Sequence, residues 1–445
     1  MYITQVLADY VQSQTREALS PEAREGALRC ILDLMAAAVA GFPVQSTARA
    51  RQVAPMLFGE GTAAIWLSDL KTTLPGAVFC NAAAASALDL DDGHRLARGH
   101  PGAAVIPAAF AVAAETDATA DQLLGAIAVG YQVAVGVAAA RGSYARSGMW
   151  CGFGAVAAAG YLRHTPPEQL SHALAIAGMT APNLLSVGDG SSFPAPLGND
   201  VKEGIAWATA NAVTALCLAE AGLTGPLDML DHAPHYARQK IADSLAGSPA
   251  ICSTYFKPFC CCRHVHAPVD ALEALILGNA LSPREIVAVE VYTYGGALRL
   301  SNRPEPENLI DVQYSIPYCL GLAALVGSDA FLPLEEAVLN RLEVTAFARK
   351  VSLHLDPEID NRFPAESLAR VVVKTATASF ESPLTAPRGE ASNPLSWQDL
   401  QGKFRHASRR MMTSRQQQDL LDAVGRLREG DLVTLRKILQ RPLGC

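Results

Sequence analysis

The sequence predicts a mostly α protein: a large all-helical domain made from both chain ends, residues 1–267 with 395–445, and a smaller α+β lid domain over 268–394. Two observations carry this. Long alanine- and valine-rich helical patterns dominate the first part of the chain, and β-branched alternation is confined to a stretch after residue 268. In addition, 445 residues exceed one ordinary core, so two domains are the natural division.

Residues 4–41 read as two helices. Ser20-Pro21-Glu22 supplies a cap and a first-turn proline, and Gly41 stops the apolar run. From Pro75 to about Ala145 come long apolar helices of the kind found inside a bundle, interrupted by one polar loop. RGSYARSGMWCGFG (141–154) is a glycine-dotted connection, and Thr165, Pro166 and Glu168 form a capping-box pattern for a helix ending near Gly178. A Gly/Ser/Pro-rich loop from Asn183 to Asn199 delivers the chain to Lys202 and to a helix over about 204–221, with Gly222 as its stop. Segments 286–294, 341–355 and 370–380 carry the strand signal. Helical patterns lie between them at 310–325 and, less marked, at 365–369. From Leu395 the pattern is helical again, with a capped amphipathic helix over 414–430.

Half of the residues are hydrophobic and 18% are charged, the composition of a well-buried globular chain. A net charge of −7, without long single-sign runs, points to no nucleic-acid partner and no membrane surface. No signal peptide is evident, and no stretch of about 20 apolar residues is free of charge or helix breakers, which argues against a membrane span. The ten cysteines read as reduced and mostly buried, and the compartment is expected to be the cytoplasm.

Two clusters carry chemistry. The first is ALDLDDGHRLARGHPGAAVIPAA (87–109), which loads Asp89, Asp91, Asp92, His94, Arg95, Arg98 and His100 into one loop between apolar helices. Charged groups are rarely fully buried unless paired, and loops on rigid elements are where chemistry sits. On a helix running into this loop, Asp89 and Asp92 would share a face; the plain alternative is a solvated loop in which Asp91 and Arg95 pair. The second is YFKPFCCCRHVHAPVD (255–270). Consecutive cysteines point in different directions and no second pair completes four ligands, so no metal is expected. Its functional reading is a cationic wall of Lys257, Arg263 and His266 facing an anion, with His also able to move protons; the plain alternative is that His264 and His266 merely cap backbone groups, His264 the more readily. Lys202 at a helix start opposes the macrodipole and suits a ligand role. Tyr318, by residue type alone, is a buried ring before it is a proton donor. Nucleotide-binding loops, a G-x-S-x-G elbow and H-E-x-x-H are absent from the sequence.

Taken together these motifs, with GNDVKEG (198–204), TGP (224–226), QYSIPY (313–318) and NPLSWQDLQGKF (393–404), resemble the MmgE/PrpD family almost throughout the chain. Its known members include 2-methylcitrate dehydratase, cis-aconitate decarboxylase and iminodisuccinate epimerase. The resemblance implies the two-part fold, a homodimer, no metal and no organic cofactor. It also implies a cleft between the domains fed by Asp89, His100, Lys202, Lys257, His266 and Tyr318, acting on a small di- or tricarboxylate. Asp92, His94 and Arg263 join Lys202 and Lys257 as expected substrate contacts.

The family's dehydratases and decarboxylases usually carry Thr after the Asp pair, where this chain has Gly93. They also carry a His in the segment where it has SYARSGMW, with Tyr144 nearest. With these changes the chain looks more like the iminodisuccinate epimerase branch. The expected activity is therefore a cofactor-independent epimerisation, by proton abstraction and return beside a carboxylate, with Tyr144 as one proton-carrying group. The alternative is a hydro-lyase or decarboxylase acting on a citrate-like acid.

Overall fold

A computed structural model of the chain describes residues 1–182 and 198–443. Residues 183–197 of the expected loop from Asn183 to Asn199, and residues 444–445, lie outside the described residues.

The helices form where the sequence supplies caps and apolar faces. Ser20 accepts the Ala23 N–H at the start of Pro21–Gly41, and Thr119 and Gln122 close a reciprocal box at the start of Ala120–Ala139. The pattern at Thr165 does not form a box. Pro167 occupies the first helical turn and Pro166 takes the cap position, so Thr165 stands one residue outside the helix and donates to Glu220 at 2.8 Å instead. Ala120–Ala139 packs on Cys151–Arg163, and Leu74–Ser86 on Ile205–Glu220. Gly154 permits the first of these contacts, since a Cβ there would stand 2.5 Å from the Gly130 carbonyl oxygen. Ala120–Ala139 is long and apolar enough by composition to cross a membrane, but it carries Asp121 in its first turn and is buried among its neighbours.

A four-stranded sheet runs in the order Val351–Leu355, Ile286–Thr293, Arg370–Thr375, Ser379–Glu381, with only the first pair parallel. The segment 341–355 is a strand only in its second half. Val344, Phe347 and Ala348 are buried at helical spacing, so Leu342–Ala348 is a helix against Ile316–Leu325. The segment 370–380 is a hairpin, because Thr375 turns the chain by accepting the Ala378 N–H on its hydroxyl. Residues 365–369 are not helical, and Ala369 instead bridges to Thr385. The helical pattern at 310–325 breaks into Leu309–Gln313 and Ile316–Leu325 because Ser315 caps the second helix and Pro317 follows. That break sets Tyr314 free of either helix.

The Trp397–Ser408 helix lies along Pro21–Gly41. Its Lys403 is buried, pairs with Asp33 and donates to the Leu90 carbonyl at 2.8 Å. The far end of the chain therefore fastens the ionisable loop from below.

Candidate active site

The helix before the loop ends at Ser86, and Asp89 sits in the left-handed region at φ 54°. Asp89 and Asp92 consequently do not share a helical face, because the backbone reverses between them. Asp89 turns toward two lysines: its Oδ1 accepts from Lys257 Nζ at 2.6 Å, and Lys202 Nζ lies 3.1 Å from Oδ2. His100 Nε2 lies 3.2 Å from Asp89 Oδ1, while its Nδ1 donates to the Asp92 carbonyl at 2.7 Å. Burial works against the Asp89 charge, yet Lys202, Lys257 and His100 outweigh it and hold the carboxyl well below the usual range. Burial likewise opposes the Lys257 charge, and Asp89 and Asp91 overcome it and push that ammonium up. Asp91 is fully buried, and neither of its oxygens has a hydrogen-bond partner among the described residues; its Oδ2 lies 3.4 Å from His100 Nδ1. Arg95 does not pair with it. Arg95 instead meets Glu390, as does Arg263, whose Nε donates at 2.9 Å.

A cavity of about 440 Å³ opens beside this cluster. Six basic side chains line it (Arg95, Arg98, Arg146, Lys202, Arg263 and Arg299) against the acids Glu203 and Asp311. His94, His100, Tyr144, His264 and Tyr314 also face it. Tyr314 accepts from Lys202 Nζ at 2.9 Å, and burial followed by Asp89 and Glu203 raises its phenol well above the ordinary value. Tyr255 closes one wall. A Cβ on Gly93 would stand 2.3 Å from its ring, so the tyrosine occupies the place a larger residue at 93 would need.

Several expected site residues lie elsewhere. Tyr318 is fully buried on the first turn of its helix and spends its hydroxyl on the Val338 carbonyl at 2.6 Å; the tyrosine of QYSIPY that reaches the cavity is Tyr314. His266, one turn into the Arg263–Gly278 helix, stacks on Phe259 with ring centroids 4.0 Å apart and holds the Cys261 carbonyl. Burial, then Arg263 and Lys257, keep its imidazole neutral, far below the usual range. Asp92 faces the helical core. It bonds the Tyr131 hydroxyl and receives the Gly102 N–H at 3.2 Å, and burial with Asp33 beside it raises its carboxyl to about 7. Lys257 is fully buried and acts through Asp89 instead of lining the cavity. His94 lines the cavity with its Nε2 on the Ala250 carbonyl. Residue type alone gave no signal for Tyr314, Glu203, Arg146 or Arg299. The Ser-x-Pro cap directly after Tyr314 was the one readable hint.

Asp89, Asp91 and His100 bring possible metal-ligand atoms within 4.8 Å of one another. Two ammonium groups already sit on the oxygens of Asp89, so a dication would have to displace both. The donor set fits a metal poorly and an anion beyond the lysines well.

Buried histidines make stability pH-dependent. Burial, the first cause in each case, lowers His94 and His264 to about 4 and His266 well below the usual range, so between about pH 4 and 6 the unfolded chain binds protons at these three sites that the fold refuses. Asp33, raised to about 6, and Asp92, raised to about 7, act in the opposite sense, with burial the first cause of both shifts. Glu203 and Glu390, both held below the ordinary range, join the histidines, so unfolding there takes up protons and stability falls on acidification. Urea titrations at pH 4.5, 5 and 6 measure this slope, and H266Q is expected to flatten it.

The fold and the site together define a helical protein with a basic cavity built on a buried carboxylate, lysine and histidine cluster. The chain belongs to the MmgE/PrpD family: residues 5–243 match the MmgE/PrpD N-terminal domain and 259–429 the MmgE/PrpD C-terminal domain. It is similar to the cis-aconitate decarboxylase of Aspergillus terreus, at 27% identity over 427 residues, covering 86% of this chain and 85% of that protein. The same figures hold for the cis-aconitate decarboxylase of Aspergillus terreus strain NIH 2624 / FGSC A1156.

Proposed function

We propose that this chain moves a proton at the carbon next to a carboxylate of a small di- or tricarboxylate, and that the net reaction is an epimerisation of a substrate such as iminodisuccinate. The observation that carries the reading is the cavity wall, with six basic side chains against two acidic ones and a histidine and a tyrosine at hand. Loss of a proton beside a carboxylate builds negative charge, and fixed cations in a water-poor site offset it without a metal. Lys202, Arg263 and Arg299 hold the carboxylates and His100 takes the proton on one face, held by the Asp92 carbonyl and Asp89. Tyr144, on the cavity wall, returns a proton from the other.

A second reading, loss of carbon dioxide or water from a citrate-like acid, draws on the similarity to the Aspergillus decarboxylase. A panel of chiral dicarboxylates and citrate-like acids separates the two. Inversion without loss of mass supports the epimerase, release of carbon dioxide or water supports the lyase, and no conversion of any acid contradicts both. The working assembly is proposed to be a homodimer in the cytoplasm, with no organic cofactor.

A further inference from the structure

Lys202, Glu203 and Gly204 have φ values of 38°, 55° and 72°, three left-handed residues in succession. Glycine adopts this freely, whereas lysine and glutamate are strained there and stay only where neighbours over-determine the turn. Glu203 supplies the restraint. Its Oε2 accepts the Ser147 N–H at 3.0 Å and the Ser147 hydroxyl at 2.7 Å, and its Oε1 lies 3.5 Å from the Tyr314 hydroxyl. Ser147 Oγ in turn accepts the His100 N–H at 3.0 Å.

Two glycines make the junction possible. A Cβ on Gly148 would stand 2.3 Å from the Glu203 carbonyl oxygen, and one on Gly99 would stand 2.5 Å from Ser147 Oγ. Lys202, at the head of the strained turn, reaches both Asp89 and Tyr314. A carboxylate inside an anion-binding cavity would repel its ligand unless it did other work. Burial disfavours the Glu203 charge, but His100 and Lys202 keep it ionised, with its carboxyl below the ordinary range.

We propose that Glu203 is a positioning residue: its carboxylate clamps the left-handed Lys202–Glu203–Gly204 turn onto Ser147 and so sets Lys202, Tyr314 and His100 in one frame. The proposal rests on the reading of the cavity as a carboxylate site. E203A is expected to raise KM for the dicarboxylate at least 10-fold and to lower kcat. E203Q, which keeps an acceptor for the Ser147 N–H, recovers most of both. G148A removes no chemical group but wedges the junction apart, and is expected to act like E203A. A crystal structure of E203A is expected to show Lys202 at negative φ with its ammonium away from Asp89, a readout independent of turnover. The proposal is overturned if E203A and G148A keep KM and kcat within twofold of the parent, or if they lose only thermal stability. It is equally overturned if Lys202 keeps its left-handed backbone and its place on Asp89 without the carboxylate. Should E203A fail to fold, the same readings on G148A decide it, with E203Q as the control expected to stay near the parent.

Discussion

Asp89→Asn is expected to cost about 3–5 kcal/mol of stability at pH 7 and to abolish turnover. Lys257 has no exposed surface, and its ammonium rests on Asp89 at 2.6 Å. A neutral amide leaves that charge buried with its close counter-ion gone, and breaking one side of a buried pair costs more than the pair is worth intact. The variant's Lys257 escapes by losing its proton, so the deficit shrinks as pH rises. An unpaired buried lysine has a depressed folded pKa, and the unfolded chain then binds the extra proton until about pH 10. Denaturant titrations of parent and variant at pH 7 and pH 9 measure this. Equal stability at both values would mean that Lys257 is satisfied elsewhere. By the same geometry Lys257→Ala is expected to break the fold before it weakens substrate binding.

His100→Gln is expected to lower turnover by about 10²–10⁴-fold, the usual worth of a positioned acid–base group, while stability changes by about 1 kcal/mol or less. The imidazole touches the cavity and is held at its two nitrogens by Asp89 and by the Asp92 carbonyl. His266→Gln is the opposite case. Its ring is packed on Phe259 inside the protein, so the loss falls on stability, and turnover of the folded fraction stays near that of the parent. Steady-state rates paired with melting curves separate the two histidines. A His100 variant as active as the parent would remove it from the chemistry.

Much of this was legible from residue patterns. The apolar helices, the strand at 286–294 and the ionisable loop follow from periodicity and from the density of charge between apolar runs. The family motifs group Asp89, His100, Lys202 and Lys257, and the structure brings them together in space. What patterns did not carry is direction. His264 and His266 stand two apart on one helix, so one faces the cavity and the other the core, and spacing alone does not say which. Tyr314 and Tyr318 are four apart and would share a helical face, but the Ser315 cap breaks the helix between them and sends Tyr314 to the cavity. Asp92 reads as a partner of Asp89 only where a helix continues through both. The left-handed backbone at Asp89 turns it instead toward the N-terminus of the next helix. Glu203 was hidden for a related reason, since a left-handed glutamate has no sequence signature.

The most direct measurement is deuterium wash-in. The protein is incubated in deuterated water with a panel of small di- and tricarboxylates, and the carbon next to each carboxylate is followed by proton NMR. The proton-transfer account predicts loss of that C–H signal for at least one acid, faster than in buffer, with the exchange suppressed in His100→Gln. Wash-in absent from every acid in the parent, or undiminished in the variant, would contradict it.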